Sequence, residues 1–211
     1  MAMGRPRSFD RDAVLERAVD VFWEHGYDAA SIALLSERMG ISPPSLYTAF
    51  GDKRTLFLEA LDRYLRTYAA FTTSALTEEP TAYRTITRLL DEAAGAYTRD
   101  DHPPGCLLIT AATNCTPQSA DIRAHLRDLR TAGRDAVEQK IAAAIRAGEL
   151  PADADARAVA TFYAAVLQGM SAQARDGATR AELREIAAAA LHAWPHVAAG
   201  GDAAARIENR R

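Results

Sequence analysis

Residues 26 to 57, GYDAASIALLSERMGISPPSLYTAFGDKRTLF, constrain the fold of this chain more than any other stretch. They read as two short helices joined by a tight glycine turn and followed by a third helix. Ser31 can cap the free N–H groups of the first helix, and Ile32 and Leu35 then fall inward at helical spacing. Gly40 ends that helix, because glycine accepts the left-handed backbone of a sharp turn, and Ile41 follows as an apolar plug. The second helix starts at Ser42 or Pro43. Proline is tolerated in a first turn, where its missing N–H would have no partner, and Leu46 and Phe50 return to the buried side. In a helix-turn-helix the second helix lies in the major groove of DNA, so Ser42, Pro43, Pro44, Ser45, Tyr47 and Thr48 form the candidate contact surface.

Gly26-Tyr27, Ser31, Ile32, Gly40-Ile41-Ser42, Leu46-Tyr47, Phe50 and Lys53 agree in identity and spacing with the pattern Gly-aromatic, hydroxyl, apolar helix, Gly-apolar-Ser, Leu-Tyr-x-x-Phe-x-x-Lys. In this the segment resembles the N-terminal domain of the TetR family, named for the tetracycline repressor. The resemblance covers residues 10 to 57 and extends beyond them only in size and helical character. It implies an all-α homodimer whose recognition helices read a roughly palindromic double-stranded DNA operator. It also implies a larger C-terminal domain that binds a small-molecule effector and thereby lowers DNA affinity. Three positions depart from the pattern. Ala30 replaces a common Thr, leaving any phosphate contact there to Ser31; Met39 stands where a small residue is frequent; and Pro44 occupies a position often held by glycine. Because proline disfavours helical backbone in the residue before it, Pro44 works against Pro43 being helical.

The chain has 211 residues, 48% of them hydrophobic, enough for one small and one medium domain. Its formal charge is -3, and residues 1 to 54 carry seven Arg or Lys against eight Asp or Glu. Affinity for nucleic acid must therefore come from the placement of a few cations, Arg5, Arg7, Lys53 and Arg54, rather than from a basic domain. The first residues contain no apolar signal region, and no window approaches eighteen apolar residues in a row, so a cytoplasmic protein without membrane contact is expected. Cys106 and Cys115 lie nine residues apart, which on one helix is about 180° in azimuth and roughly 13 Å along the axis, too far to bridge. No metal or other cofactor is expected, since His192 and His196 have Pro195 between them and no carboxylate or cysteine in register.

The expected organisation is a flexible arm over 1–9, a helix-turn-helix domain over 10–54, a helical ligand-binding and dimerisation domain over 55–197, and a disordered tail over 198–211. Helix 1 is expected from Asp10 to His25. Helix 4 should start at Asp52 as N-cap and run without interruption to Ser74, linking the domains. Proline and glycine then divide the chain into helices at 82–100, 105–115, 118–147, 154–175 and 179–194. The last two carry the apolar stripes Val159, Tyr163, Val166 and Met170, then Leu183, Ile186, Ala187, Ala190, Leu191 and Trp194. In the resembled family the corresponding helices pair with their symmetry mates, which assigns these stripes to the dimer interface; the alternative is core within one chain.

Tyr47 points off the face of Leu46 and Phe50 and can place its phenol on a phosphate, or it can be the edge of a core. Lys53 can donate to phosphate or remain a solvated charge, and Arg5 and Arg7 can enter the minor groove or simply belong to a flexible arm. Tyr64, Tyr68, Phe71, Tyr97, Thr110, Thr113, Phe162 and Gln168 are candidates for an effector cavity, against ordinary packing. Cys106, also placed at that cavity, follows Pro-Pro-Gly at a helix start, where the helix dipole would lower its pKa and make a thiol sensor of oxidants or electrophiles; a buried structural cysteine is the alternative. No catalytic signature is present, since Gly169-Met170-Ser171-Ala172-Gln173 lacks the final glycine of a nucleophile elbow and no phosphate-binding loop occurs. A ligand-independent architectural DNA-binding protein is the remaining alternative to a ligand-responsive repressor.

Overall fold

The computed structural model describes residues 9–113 and 115–195; the arm with Arg5 and Arg7 and the tail over 198–211 lie outside the described residues. Among the described residues the fold is all-helical: α1 Arg11–Ala29, α2 Ile32–Met39, α3 Pro43–Phe50, α4 Lys53–Arg66, α5 Ala70–Glu78, α6 Ala82–Ala96, α7 Leu107–Thr113, a 3-10 turn Pro117–Ser119, α8 Ala120–Arg146, α9 Ala156–Arg175 and α10 Arg180–Leu191. None of these helices is long and apolar enough to cross a membrane.

Local signals account for most of the boundaries. Asp10, Ser31, Ser42, Asp52, Thr81, Asp155 and Thr179 each cap the following helix by accepting a hydrogen bond from a first-turn amide. Within α1 the helical path breaks at Gly26, whose φ of 77° is costly for any residue with a Cβ. The chain then turns so that Tyr27 packs on Phe22 and Phe57. At Gly40, also left-handed, the amides of Gly40 and Ile41 bond to Glu37 and Ser36, closing the turn between α2 and α3.

α1 is the central strut. It packs on α4 and α7 as well as α2, so one helix belongs to both halves of the molecule. Its buried residues Val14, Ala18, Val21, Phe22 and Trp23 join Leu35, Met39, Leu46 and Phe50 from α2 and α3 to Leu56, Phe57 and Leu61 from α4. Met39 fills this core rather than crowding the turn. The C-terminal half is closed by α6, α8, α9 and α10 around Leu90, Leu126, Ile141, Tyr163, Met170 and Leu183.

One expectation about the fold is corrected. Helix 4 does not continue to Ser74; it ends at Arg66, and α5 begins at Ala70. The Thr67 amide is shared between the carbonyls of Arg63 and Tyr64, and the Ala69 amide reaches back five residues to Tyr64, which takes the chain out of α-helical register. This break seats the Tyr68 ring 5.2 Å from Trp23 and 5.1 Å from His102 and lets its phenol donate to Glu16. Tertiary contacts with α1 thus override a locally helical sequence.

Candidate nucleic-acid interface

α3 offers a face with an unusual chemistry. Leu46 and Phe50 are buried and fix the helix, while Ser42, Pro43, Pro44, Tyr47 and Thr48 are exposed on the other side and Ser45 is half-exposed. Pro43 is the first helical residue despite Pro44. Consequently neither of the first two positions has an N–H. The Ser45 amide is taken by the Ser42 hydroxyl at 3.3 Å and the Leu46 amide by the Ser42 carbonyl. The start of α3 therefore has no backbone donor for an anion, and it presents two pyrrolidine rings instead. Ser42 and Ser45 hydroxyls bond to each other at 2.9 Å, and Thr48 donates to the Pro44 carbonyl at 2.8 Å. Tyr47, 51% exposed, is the one phenol of this surface with no protein partner among the described residues.

Anion-binding capacity lies at the start of α2. Ser31 caps the Leu34 amide at 3.1 Å, and the exposed Ser31 hydroxyl proton remains available. Ile32 and Ala33 are the first two helical residues, whose amides have no intrahelical acceptor. The cations near α3 are more committed than sequence suggests. The Lys53 ammonium donates to the Asp28 carbonyl at 3.2 Å and lies 4.6 Å over the Tyr27 ring, and burial lowers its pKa. Arg54 is paired with Asp121 at 2.8 Å, and Arg11 with Glu59 at 2.5 Å while stacking on Phe50.

Lys53 and Arg54 belong to one of two joints between the helix-turn-helix unit and the remaining helices. At one, the Asp28 carboxylate accepts from the Thr116 amide at 2.5 Å and from the Ser119 hydroxyl, beside Arg54 and Asp121. At the other, Glu16 accepts from the Tyr68 phenol and from Arg63. Sequence reading missed both, because Asp28 and Thr116 meet only through the packing of α1 on α7. Burial acts to raise the Asp28 pKa, but the hydrogen bonds from Ser119 and Thr116 outweigh it and hold the group below the usual carboxylate value. A depressed pKa stabilises the fold above the unfolded-state value, and that contribution disappears as pH falls through the folded-state pKa. Asp28→Asn should therefore melt earlier than the parent at neutral pH, and the gap should close in acid; a gap independent of pH would detach the joint from the carboxylate charge.

The candidate effector residues do not form one site. Tyr64, Tyr97 and Cys106 are buried together, with the Tyr64 phenol 3.3 Å from the Cys106 sulfur, and Thr110 is buried with an unpartnered hydroxyl. Phe162 and Gln168 lie on the outer face of α9, and the Thr113 side chain is outside the described structure. Tyr68 and Phe71 line a half-open cleft of about 520 Å³ together with Thr67 and with Asp91, Glu92, Gly95, Ala96, Arg99 and Arg180 from the far wall. The apolar stripes of α9 and α10 also divide. Tyr163, Met170, Leu183, Ala187, Ala190 and Trp194 are buried inside the chain, and Val159, Val166, Ile186 and Leu191 are half-buried. The exposed face of α9 is instead Ala158, Thr161, Phe162, Ala165, Gln168, Gly169 and Ala172.

Cys106 requires a correction. Its position before α7 points to a low pKa, yet the side chain is buried and burial pushes the thiol up, against the weaker effect of the Tyr64 phenol. Desolvation of the thiolate exceeds what the N-terminus of a seven-residue helix returns. Alkylation of the native protein at neutral pH should modify the half-exposed Cys115 first, with Cys106 reacting only on unfolding; prompt labelling of Cys106 would restore the sensor reading.

Comparison with known proteins agrees with this geometry. Residues 14–60 match the bacterial regulatory proteins of the tetR family, and residues 82–190 match the tetracyclin repressor-like C-terminal domain. The chain is similar to the HTH-type transcriptional repressor ComR of Escherichia coli K12, 36% identical over 92% of this chain and 93% of ComR. It is also similar to the repressor BdcR of the same organism, 33% identical over 89% of this chain and 90% of BdcR. Among solved structures it is similar to a cysteine mutant of the TetR family transcriptional regulator CifR complexed with 26 bp double-strand operator DNA. There the TM-score is 0.86 at 44% identity, covering 91% of this chain and 100% of the other.

Proposed function

Because the chain belongs to the TetR family of transcriptional regulators, we propose that it is a cytoplasmic homodimeric repressor that leaves a palindromic operator when a small-molecule effector binds. In this reading residues 10–54 read DNA and residues 55–197 bind the effector and dimerise. The observation that carries it is the exposed, neutral face of α3 held rigid from behind by Leu46 and Phe50. Pro43 and Pro44 have no hydrogen-bonding side chain, so their rings suit a thymine methyl, while Ser42, Ser45 and Thr48 supply adaptable hydroxyls. Tyr47, Ser31 and the first amides of α2 hold phosphates and set the register of α3 in the groove. Arg5 and Arg7 add minor-groove contacts, and Lys53 adds phosphate contact through the N–H groups that Asp28 does not use. A second copy seats on the exposed stripe of α9, where Ala165 and Gly169 permit close helix approach; nothing lies within 4 Å of a Cβ placed on Gly169.

The test is binding to genomic fragments that flank the coding gene, measured across a salt series for the parent and two variants. Tyr47→Ala should weaken binding to every bound fragment by a similar factor. Lys53→Met, which keeps the packing on Tyr27, should make the salt slope shallower by about one unit for each phosphate that Lys53 neutralises in the dimer. Parent-like affinity of Tyr47→Ala would remove Tyr47 from the interface, and an unchanged slope would remove Lys53.

A further inference from the structure

The cleft beside the α4–α5 break has a charge pattern that selects among effectors. Asp91 is bonded to Arg184 at 2.7 Å, Glu92 to Arg88 at 2.6 Å and Arg99 to Asp101 at 2.8 Å. Arg180 is the one charged lining group without an ion pair or hydrogen bond among the described residues. A Cβ placed on Gly95 would lie 3.3 Å from its Nη2, 3.4 Å from its Cζ and 3.6 Å from its Nε, nearly equal distances that describe a guanidinium lying face-on to Gly95. Its N–H edge is thus left free, and that edge is the part of arginine that binds a carboxylate in bidentate fashion.

The opposite wall is mainly aromatic, with Thr67 at its edge. Tyr68 and Phe71 form it, both half-buried, in a space within the usual range of small-molecule sites. Tyr68 has a second attachment, since its phenol donates to Glu16 on α1, which also holds Arg63 of α4. Whatever displaces the Tyr68 ring from the cleft side pulls on the helix that carries α2 and α3.

We propose that this cleft binds an amphipathic organic monocarboxylate, its carboxylate on Arg180 and its apolar body on Tyr68 and Phe71, and that the Tyr68–Glu16 hydrogen bond transmits its presence to the DNA-reading unit. The proposal rests on the repressor reading and specifies its effector class. A ligand that favours the arrangement with this bond broken must lose affinity on operator by the same factor by which it weakens operator binding.

Phenylacetate and hexanoate serve as probes, with phenylacetamide, phenethylamine and sodium sulfate as controls. Binding to the full-length protein is read by calorimetry and, in a Trp194→Phe background that leaves Trp23 as the one tryptophan, by the emission of Trp23, whose ring packs on Tyr68. The carboxylates should bind the parent, and Arg180→Gln should weaken them about tenfold or more, the loss of a charge-assisted pair worth at least about 1.4 kcal/mol. Arg127→Gln, which removes a charge paired with Asp128 outside the cleft lining, should change them little. Tyr68→Phe should still bind the carboxylates while losing their effect on operator affinity. Failure of both carboxylates to bind, equal binding by Arg180→Gln, or binding of the amide, the amine or sulfate as tightly as phenylacetate would overturn the proposal. Operator binding by the unliganded parent is measured in the same series: if it is present while these results go against the cleft, the effector class fails and the repressor stands; if it is absent, the repressor reading fails.

Discussion

Ala165→Glu should convert the protein to a 22.8 kDa monomer and lower operator affinity by roughly 100-fold or more, because joining two binding modules raises overall affinity by about 10²–10⁴. Ala165 is exposed at the middle of the outer face of α9, and glutamate is a good helix former, so the fold of one chain has no reason to suffer. In a two-fold interface centred on this stripe, however, a residue at its middle lies near the axis and approaches its own symmetry mate. Two carboxylates would then be desolvated against each other, and the small neighbours Gly169 and Ala172 provide no compensating cation. Sedimentation velocity with a parallel DNA titration reads both effects. An intact dimer with unchanged affinity would move the interface away from this face of α9.

Phe22→Ala should cost about 3–5 kcal/mol, a large part of the roughly 5–15 kcal/mol that holds a typical domain folded. Phe22 is fully buried on α1, with Phe57 of α4 edge-on at 5.0 Å and Tyr27 stacked at 6.3 Å. Its removal leaves a cavity where the DNA-reading unit meets α4, and neither rigid ring can collapse into it without giving up its other neighbours. A fall in melting temperature of roughly 6–20 °C is expected for a chain of this size. Operator affinity should fall with it, since α1 sets the position of α2 and α3. A loss below about 1 kcal/mol would mean that this junction repacks and that α1 is not a rigid strut.

The features readable from sequence are those with local causes. Ser31 and Asp52 announce helix starts by their own side chains, and each makes the expected cap; Gly40 and the spacing of Leu35, Leu46 and Phe50 fix the turn and the buried side of α3. The missed features depend on residues distant in the chain. The break after Arg66 exists because Tyr68 meets Trp23 and His102, and no pattern around position 68 encodes that meeting. Lys53 turns inward because the chain leaves helical geometry at Gly26 and brings the Asp28 carbonyl within its reach.

The C-terminal helices show a different limit. Periodicity finds the apolar stripe of α9 but cannot tell core from interface, since both bury apolar surface. Tyr163 and Met170 go to the interior, and the free face is made of alanine, threonine, glycine and Gln168 with a single large apolar residue, Phe162, at 42% exposure. The cleft was half legible. Tyr68 and Phe71 stood among the aromatic candidates, but Arg180 becomes distinctive only when its neighbours prove to be paired and it does not.

The central claim is that two copies of α3 read a symmetric DNA site, and selection from a random duplex pool by the full-length protein tests it most directly. The enriched sequences should contain an inverted repeat whose half-site centres lie about one helical turn, 10–10.5 bp, or a multiple of it apart. Sedimentation on the consensus duplex should give two protomers per site or an even multiple. A pool without enrichment, an asymmetric consensus, or a single protomer bound per site would contradict the account.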